Sequence, residues 1–399
     1  MVVCSDFYFP REVQYLFDIV GCGNDKLRIV GGCVRNFLLG QELSDYDLCT
    51  KYKPDELIDI LKKNNVKYID TSAKYGTVIA IVNNKPFEIT TLRKDINTRG
   101  RDTDVEFVDS YEEDAQRRDF TFNAIYIDEN KNLYDYCNGI SDLNKSIVKF
   151  IGDPYERIKE DNLRILRFFR FSAYYGFVFD NTSLKACIEC KDLIKNLSIE
   201  RITNEFVKIL MNNFPLKVLH TMEKYNILQY IVDVEGKIDY NKLAVFYSIR
   251  KFLNFQHDFS FVLSLINSTS KIKKINLLLS NKQNKNISNI EKYKITYFSI
   301  EKVKKLLFCT GDKDLVKHVL MIYFCNNFST FEEVKYTFDF VDNYAIPKLP
   351  ITGQDLIENN FTDRSKYSII LEYAKDMFIN SDYLISKSDI LQRLKKLAN

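Results

Sequence analysis

The sequence predicts an α+β protein: an N-terminal head with a mixed or antiparallel β-sheet and helices, followed by an elongated all-α neck, body and tail. Two observations carry this. Strand-like alternation is concentrated in the first 150 or so residues, at Leu27–Val30, Tyr46–Thr50, Thr77–Val82, Pro86–Leu92 and Asn123–Ile127. From Asp153 onward the period lengthens, with Ile158, Leu163, Leu166 and Phe169 at helical spacing and few prolines or glycines. At 399 residues, 46% hydrophobic and 14% aromatic, the chain can fill real cores in two to four domains.

The head elements follow from local chemistry. The apolar run Leu27–Val30 ends at Gly31-Gly32, after which Val34–Leu39 has the pattern of a short helix. Tyr46–Thr50 reads as the next strand. Pro54–Lys63 is amphipathic, with proline at a position suited to a helix start. Thr77–Val82 and Pro86–Leu92 read as a hairpin joined at Asn83-Asn84-Lys85. In its second strand Phe87 and Ile89 share one face, and Glu88 and Thr90 the other. Farther on, Ser270–Lys294 is rich in Lys, Asn and Ser and reads as a surface helix pair with a loop. Pro347-Lys-Leu-Pro350 is the clearest late breaker, and Thr352–Asn399 reads as a small helical tail.

Composition excludes several classes. No apolar run reaches the roughly 18 residues of a membrane span. Met1–Arg11 has no character of a targeting peptide. Nine scattered cysteines fit reduced thiols in a cytoplasmic protein. The lone Cys187-Ile-Glu-Cys190 reads as core or surface thiols rather than a zinc site. Three widely spaced histidines, His220, His257 and His318, argue against His-centred hydrolysis. A net charge of +3 does not by itself imply nucleic acid.

The chemistry concentrates around Asp45-Tyr46-Asp47. If these residues lie in a strand, both carboxylates project to one side. Such a pair repels unless a cation sits between its members, and hard oxygen ligands suit Mg²⁺. The Gly-Gly turn upstream can hold a phosphate on backbone N–H groups. Glu88 reads either as a solvent-facing strand residue or as a third metal-binding carboxylate. A metal site beside a phosphate cradle points to nucleotidyl or phosphoryl transfer. Farther along, Arg118 could neutralise a triphosphate and Asp119 accept a ribose hydroxyl, although a surface ion pair is the plainer reading. Asp161 and Arg164 stand three apart on a presumed helix face. Arg164, Arg167 and Arg170 recur every three residues in an apolar segment and need partners there. A carboxylate beside a guanidinium matches the edge shared by cytosine and adenine.

Taken together, Gly31-Gly32-Cys33-Val34-Arg35, Asp45-Tyr46-Asp47, Glu88–Arg93, Arg117–Ala124, Glu160–Arg170 and Ser198–Ile202 resemble, in order, the motif series of class II CCA-adding enzymes. These are tRNA nucleotidyltransferases in one superfamily with bacterial poly(A) polymerases. The resemblance implies a nucleotidyltransferase head at 1–150 and a neck at 151–235 that templates nucleotides and binds RNA. It also implies a body at 236–345 and a tail at 346–399 that contacts tRNA. It implies catalytic Asp45, Asp47 and Glu88, with metal on Asp45 and Asp47. Gly32, Arg35, Arg118, Asp119, Asp161, Arg164, Arg167 and Arg170 would bind nucleotide, and Asp161 with Arg164 would read the base. Mg²⁺, ATP, CTP and tRNA are the implied cofactor and partners, with no membrane.

Arg93–Val108 matches the family's flexible loop, which is shortened in CC-only enzymes, so its presence implies full CCA or A addition. Poly(A) polymerase is the enzymatic rival, and an RNA-binding protein on a decayed transferase head is the non-enzymatic one. A sugar- or drug-modifying transferase would not need Glu160–Arg170. Two departures stand out. Asn36 replaces the family's usual Asp after the arginine, and Phe361-Thr-Asp-Arg-Ser occupies a usually Pro/Gly-rich stretch, which puts an inferred tRNA-elbow contact in question.

Overall fold

The computed structural model describes all residues except Met1, Ser44, Gly100, Arg101 and Asn399. Two compact units make up the chain: Met1–Glu235 with Ile272–Leu278, and Gly236–Lys271 with Leu279–Asn399.

In the first unit the strands are β1 (Val2–Val3), β2 (Leu27–Val30), β3 (Leu48–Thr50), β4 (Lys67–Ser72), β5 (Thr77–Val82) and β6 (Lys85–Thr91), then β7 (Arg93–Arg99), β8 (Asp102–Phe107), β9 (Ile125–Ile127) and β10 (Asn132–Asp135). Among the described residues eight of these form one sheet in the order β1-β10-β9-β2-β3-β6-β5-β4, while β7 and β8 make a separate hairpin. Within the large sheet β3 and β6 run parallel and the other pairs antiparallel, so it is mixed. The β5–β6 turn falls at Asn83 and Asn84, whose φ of 52° and 62° lie in the left-handed region that asparagine tolerates and a tight two-residue turn demands. Along β6, Phe87, Ile89 and Thr91 are buried and Glu88 is exposed, as the alternation predicts.

Around the sheet stand α1 (Arg11–Leu16), α2 (Gly32–Leu38), α3 (Pro54–Lys63), α4 (Tyr111–Gln116) and α5 (Gly139–Asn144). α3 starts where the sequence places it. Pro54 follows its N-cap, Glu56 accepts the Lys53 amide at 2.9 Å, and Leu57, Ile58 and Leu61 are buried. A helical layer continues through α6 (Pro154–Glu160), α7 (Arg164–Tyr175), α8 (Asn181–Glu189), α9 (Ile199–Met211) and α10 (Pro215–Lys224). α7 is fastened by an aromatic cluster. Phe120 and Phe150 stack at 4.9 Å, Phe150 and Phe168 at 5.5 Å, and Phe122 meets Phe171 edge-on at 5.3 Å. This cluster holds the arginine-bearing helix against the turn that follows Asp119.

The second unit is helical: α11 (Tyr240–Leu253), α12 (Phe259–Thr269), α13 (Asn281–Lys292), α14 (Ile300–Thr310), α15 (Lys313–Asn327), α16 (Phe331–Asn343), α17 (Gly353–Glu358), α18 (Tyr367–Asn380) and α19 (Lys387–Ala398). Asp239, Asp258, Ser280, Ser299, Asp312 and Thr330 each accept a first-turn amide, which defines six of these starts. The Pro347–Pro350 stretch separates α16 from α17 as its composition requires.

Three expectations change. Asp45, Tyr46 and Asp47 precede β3 rather than lying in it, so strand alternation does not align the two carboxylates. Glu160–Arg170 is not one helix, because Asp161 leaves α6 in an extended conformation (φ −145°, ψ 106°) and α7 starts at Arg164. Ser270–Lys294 holds a strand (Ile272–Ile275) paired with Val232–Val234 and then a single helix, α13. The strand is set by its antiparallel pairing with Val232–Val234, which lysine content does not reveal.

One residue tests the packing behind the site. A Cβ on Gly139 would stand 2.3 Å from the Thr121 carbonyl oxygen, in a turn that cannot yield without moving the Asp119–Asn123 segment. Gly139→Ala is expected to destabilise the protein by about 1–3 kcal/mol through overpacking. A urea midpoint equal to that of the native chain would refute this.

Candidate active site

The turn between β2 and α2 opens the site. Gly31 has φ +80°, a conformation L side chains rarely adopt, and a Cβ there would lie 3.7 Å from Nη1 of Arg118. The left-handed backbone, rather than any clash with that guanidinium, is what calls for glycine here.

The acidic side is built by strand register. The Val30 amide donates to the Asp47 carbonyl at 2.9 Å, tying Asp47 to the end of β2. Leu48 pairs with Ile89 in the parallel β3–β6 ladder, so Asp47 and Glu88 stand side by side just before that pair. Asp45, Asp47 and Glu88 line one concavity of about 680 Å³. Asp45 and Asp47 also line a neighbouring cleft of about 660 Å³ with Gly31, Gly32, Arg35 and Arg118. The acid of Asp47 is pushed up to about 6. Lost hydration low in the cleft is the first cause, even though the residue as a whole is solvent-accessible, and the Glu88 charge is the second. Among the described residues no group of three carboxylate, imidazole or thiol side chains is drawn together closely enough to hold a metal. The three acids share a concavity without forming a closed triad, as expected of like charges.

The basic side comes from four arginines lining the 660 Å³ cleft: Arg35, Arg118, Arg167 and Arg170. Arg118 donates to Asp114 at 3.0 and 3.2 Å and to the Tyr126 hydroxyl at 3.1 Å. Asp114 is fully buried. Burial would raise its acid, but Arg118 and Arg117 outweigh that and hold it at about 2. Arg167 grips Asp119, with Nε at 2.7 Å and Nη2 on the same oxygen. The other Asp119 oxygen accepts the Phe120 amide at 2.9 Å and the Asn123 amide at 2.8 Å. Burial opposes the Asp119 charge, yet Arg167, Asn123 and Arg164 keep its acid well below the usual carboxylate range. Arg170 reaches Glu205 at 3.1 Å and lies 4.4 Å over the Phe171 ring.

Arg35, Arg118, Asp119, Arg167, Arg170, Gly32, Asp45 and Asp47 are therefore brought together, with Glu88 alongside. Asp161 and Arg164 are not paired with one another. Asp161 takes Arg201 at 2.9 and 3.0 Å, and Arg164 donates to Glu160 and to the Arg157 carbonyl at 2.8 Å. The helix break at Asp161 separates them. Asp119 also departs from expectation. Four donors fill its two oxygens, leaving no lone pair for a ribose hydroxyl. Arg93–Val108 contains the β7–β8 hairpin, and the Gly100 and Arg101 of that expectation lie outside the described residues.

Sequence reasoning missed Asp114, Asn123, Tyr174, Tyr175, Glu205 and Lys208. Asp114 has a visible signal, since Arg117 and Arg118 follow it at i+3 and i+4. Glu205 has none, because only the packing of α9 on α7 brings it to Arg170.

Similarity to known proteins agrees with this geometry. Residues 27–149 match the family described as "Poly A polymerase head domain", and residues 176–233 match "Probable RNA and SrmB-binding site of polymerase A". Two stretches of the chain are thus similar to models of poly(A) polymerase domains, and its relatives carry the names of CCA-adding enzymes. It is 29% identical to the CCA tRNA nucleotidyltransferase 1, mitochondrial, of Homo sapiens, over 97% of this chain and 91% of that protein. It is 38% identical to the CCA-adding enzyme of Streptococcus gordonii over 57% of this chain and 56% of that one. The fold matches that of the Bacillus stearothermophilus CCA-adding enzyme in complex with CTP, with TM-score 0.75, 23% identity and 97% of both chains covered. It also matches a Thermotoga maritima CCA-adding enzyme complexed with tRNA, with TM-score 0.70, 17% identity, 99% of this chain and 97% of that one. The human relative's name is that of a nucleotidyltransferase. Among the described residues no helix is long and apolar enough to cross a membrane.

The raised acid of Asp47 sets a pH dependence. A carboxylate whose folded value lies above its unfolded one binds protons more readily when folded, so its contribution to stability is lost as pH rises from about 4 through about 6. Without divalent cation, Asp47→Asn is expected to gain stability relative to the native chain across that window. Parallel melting-temperature curves for the two proteins would contradict it.

Proposed function

We propose that this nucleotidyltransferase adds C, C and A to tRNA 3′ ends from CTP and ATP, without a nucleic-acid template. The observation that carries the reading is one cleft lined by Asp45 and Asp47 together with Arg35, Arg118, Arg167 and Arg170. Transfer to an RNA hydroxyl needs both: oxygen donors for divalent cations, and fixed positive charge for a triphosphate and departing pyrophosphate. The relatives' printed names and the full-length alignment to the human protein support the choice of tRNA.

The donor set suits a hard cation. Asp45, Asp47 and Glu88 offer carboxylate oxygens, and burial together with the neighbouring Glu88 charge raises the acid of Asp47. Magnesium held by Asp45 and Asp47, beside Glu88, would assist attack of the RNA 3′ hydroxyl on the α-phosphate and stabilise the departing pyrophosphate. Gly32 and Arg35 would cradle the phosphates, with Arg118, Arg167 and Arg170 lining the same cleft. Base choice is assigned to Asp161 and Arg164. In the free protein they are held by Arg201 and Glu160, so reading a base requires those two partners to let go. Nine unpaired cysteines support a reducing, cytoplasmic setting, whereas the human relative is named mitochondrial.

Incubating the protein with a tRNA transcript lacking its terminus, with CTP, ATP or both, tests the reading. Ordered addition of C, C and A followed by arrest is expected. A long A tail would move the chain to the poly(A) polymerases, and no product would leave an RNA-binding protein. Asp45→Ala or Asp47→Ala is expected to abolish transfer while tRNA affinity stays largely intact. Full activity in either would remove the metal-based mechanism. Asp161→Ala is expected to relax nucleotide choice more than it lowers tRNA affinity. Strict use of CTP and ATP by that variant would remove the templating role.

A further inference from the structure

Three of the four cleft guanidiniums are neutralised inside the protein: Arg118 by Asp114, Arg167 by Asp119 and Arg170 by Glu205. Arg35 differs. It is only 8% exposed, and among the described residues no carboxylate lies within ion-pairing distance of it. Its Nε and Nη2 donate to the Asn36 side-chain oxygen at 3.3 and 3.0 Å, and its Nη1 donates to the Asn123 side-chain oxygen. The Tyr175 hydroxyl donates to that same Asn36 oxygen at 2.8 Å. Aromatic faces complete its surroundings, with Tyr175 at 5.1 Å, Phe171 at 5.2 Å and Phe122 at 5.9 Å.

A buried guanidinium with neutral neighbours keeps its full charge while its geometry is fixed. We propose that Asn36 and Tyr175 form a neutral clamp that positions Arg35 and leaves its charge for the polyphosphate of an incoming nucleotide. A carboxylate in place of Asn36 would hold the guanidinium equally well but cancel its charge. Asn36 and Tyr175 act through Arg35 and are positioning residues. The inference rests on the nucleotide-transfer reading for the identity of the anion.

The test measures binding of CTP, CMP and inorganic tripolyphosphate by calorimetry, together with kcat and KM for CTP and ATP. Losing a hydrogen bond within a charged network is worth about one factor of ten in affinity, so Tyr175→Phe is expected to weaken CTP and tripolyphosphate about tenfold. CMP binding is expected to stay the same, with KM raised and kcat nearly unchanged. Asn36→Asp is expected to weaken the same two ligands, and Tyr175→Phe to have no further effect in an Arg35→Ala background. Native-like tripolyphosphate binding by either single variant, equal weakening of CMP and CTP, or an undiminished Tyr175→Phe effect without Arg35 would overturn the clamp. Clamp-dependent tripolyphosphate binding by a native chain that adds no nucleotide to tRNA would overturn the transfer reading and leave the clamp standing.

Discussion

Asp119 gripping Arg167 joins two walls that the chain builds separately. The carboxylate belongs to the turn before β9, and the guanidinium to the first turns of α7. Neither position is favourable for a charge on its own, since each is substantially removed from water. Pairing them satisfies both. It also fixes where the basic face of α7 stands relative to Gly31, Asp45 and Asp47. The aromatic cluster of Phe120, Phe122, Phe150, Phe168 and Phe171 backs this ion pair and makes the placement rigid.

Charge is then distributed by kind across the cleft. On the basic wall most guanidiniums have internal carboxylates, which lets several stand near one another without mutual repulsion dominating. On the acidic side no ion pair is made among the described residues, and burial first, then the Glu88 charge, raises the acid of Asp47. Under the proposed function, such a surface suits a ligand bringing both signs, divalent cation for the acids and polyphosphate for Arg35. A protein that merely bound RNA along its backbone would have little use for the uncompensated acids.

The segment to which base reading is proposed behaves differently. Asp161 and Arg164 are occupied by Arg201 and Glu160 in the free protein. Exchanging a protein partner for a nucleobase edge changes the number of satisfied hydrogen bonds little. Selection can therefore proceed by exchange of near-equal partners, with discrimination arising where a wrong base leaves a donor or acceptor unpaired.

Much of the head was legible from local pattern. Alternation located β2, β5 and β6, the paired asparagines located their turn, and Pro54 located α3, because each depends on neighbours within a few residues. The chemical identity of the site residues was legible for a similar reason: clustered acids and arginines in apolar surroundings need partners wherever they fold. Which partners they take was decided only by tertiary structure. Glu205 meets Arg170, Arg201 takes Asp161 and Tyr175 reaches Asn36 across separations of 35, 40 and 139 residues. The pairing of Asp161 with Arg201 belongs to the same level, because a local pattern of apolar spacing cannot register a guanidinium from another helix.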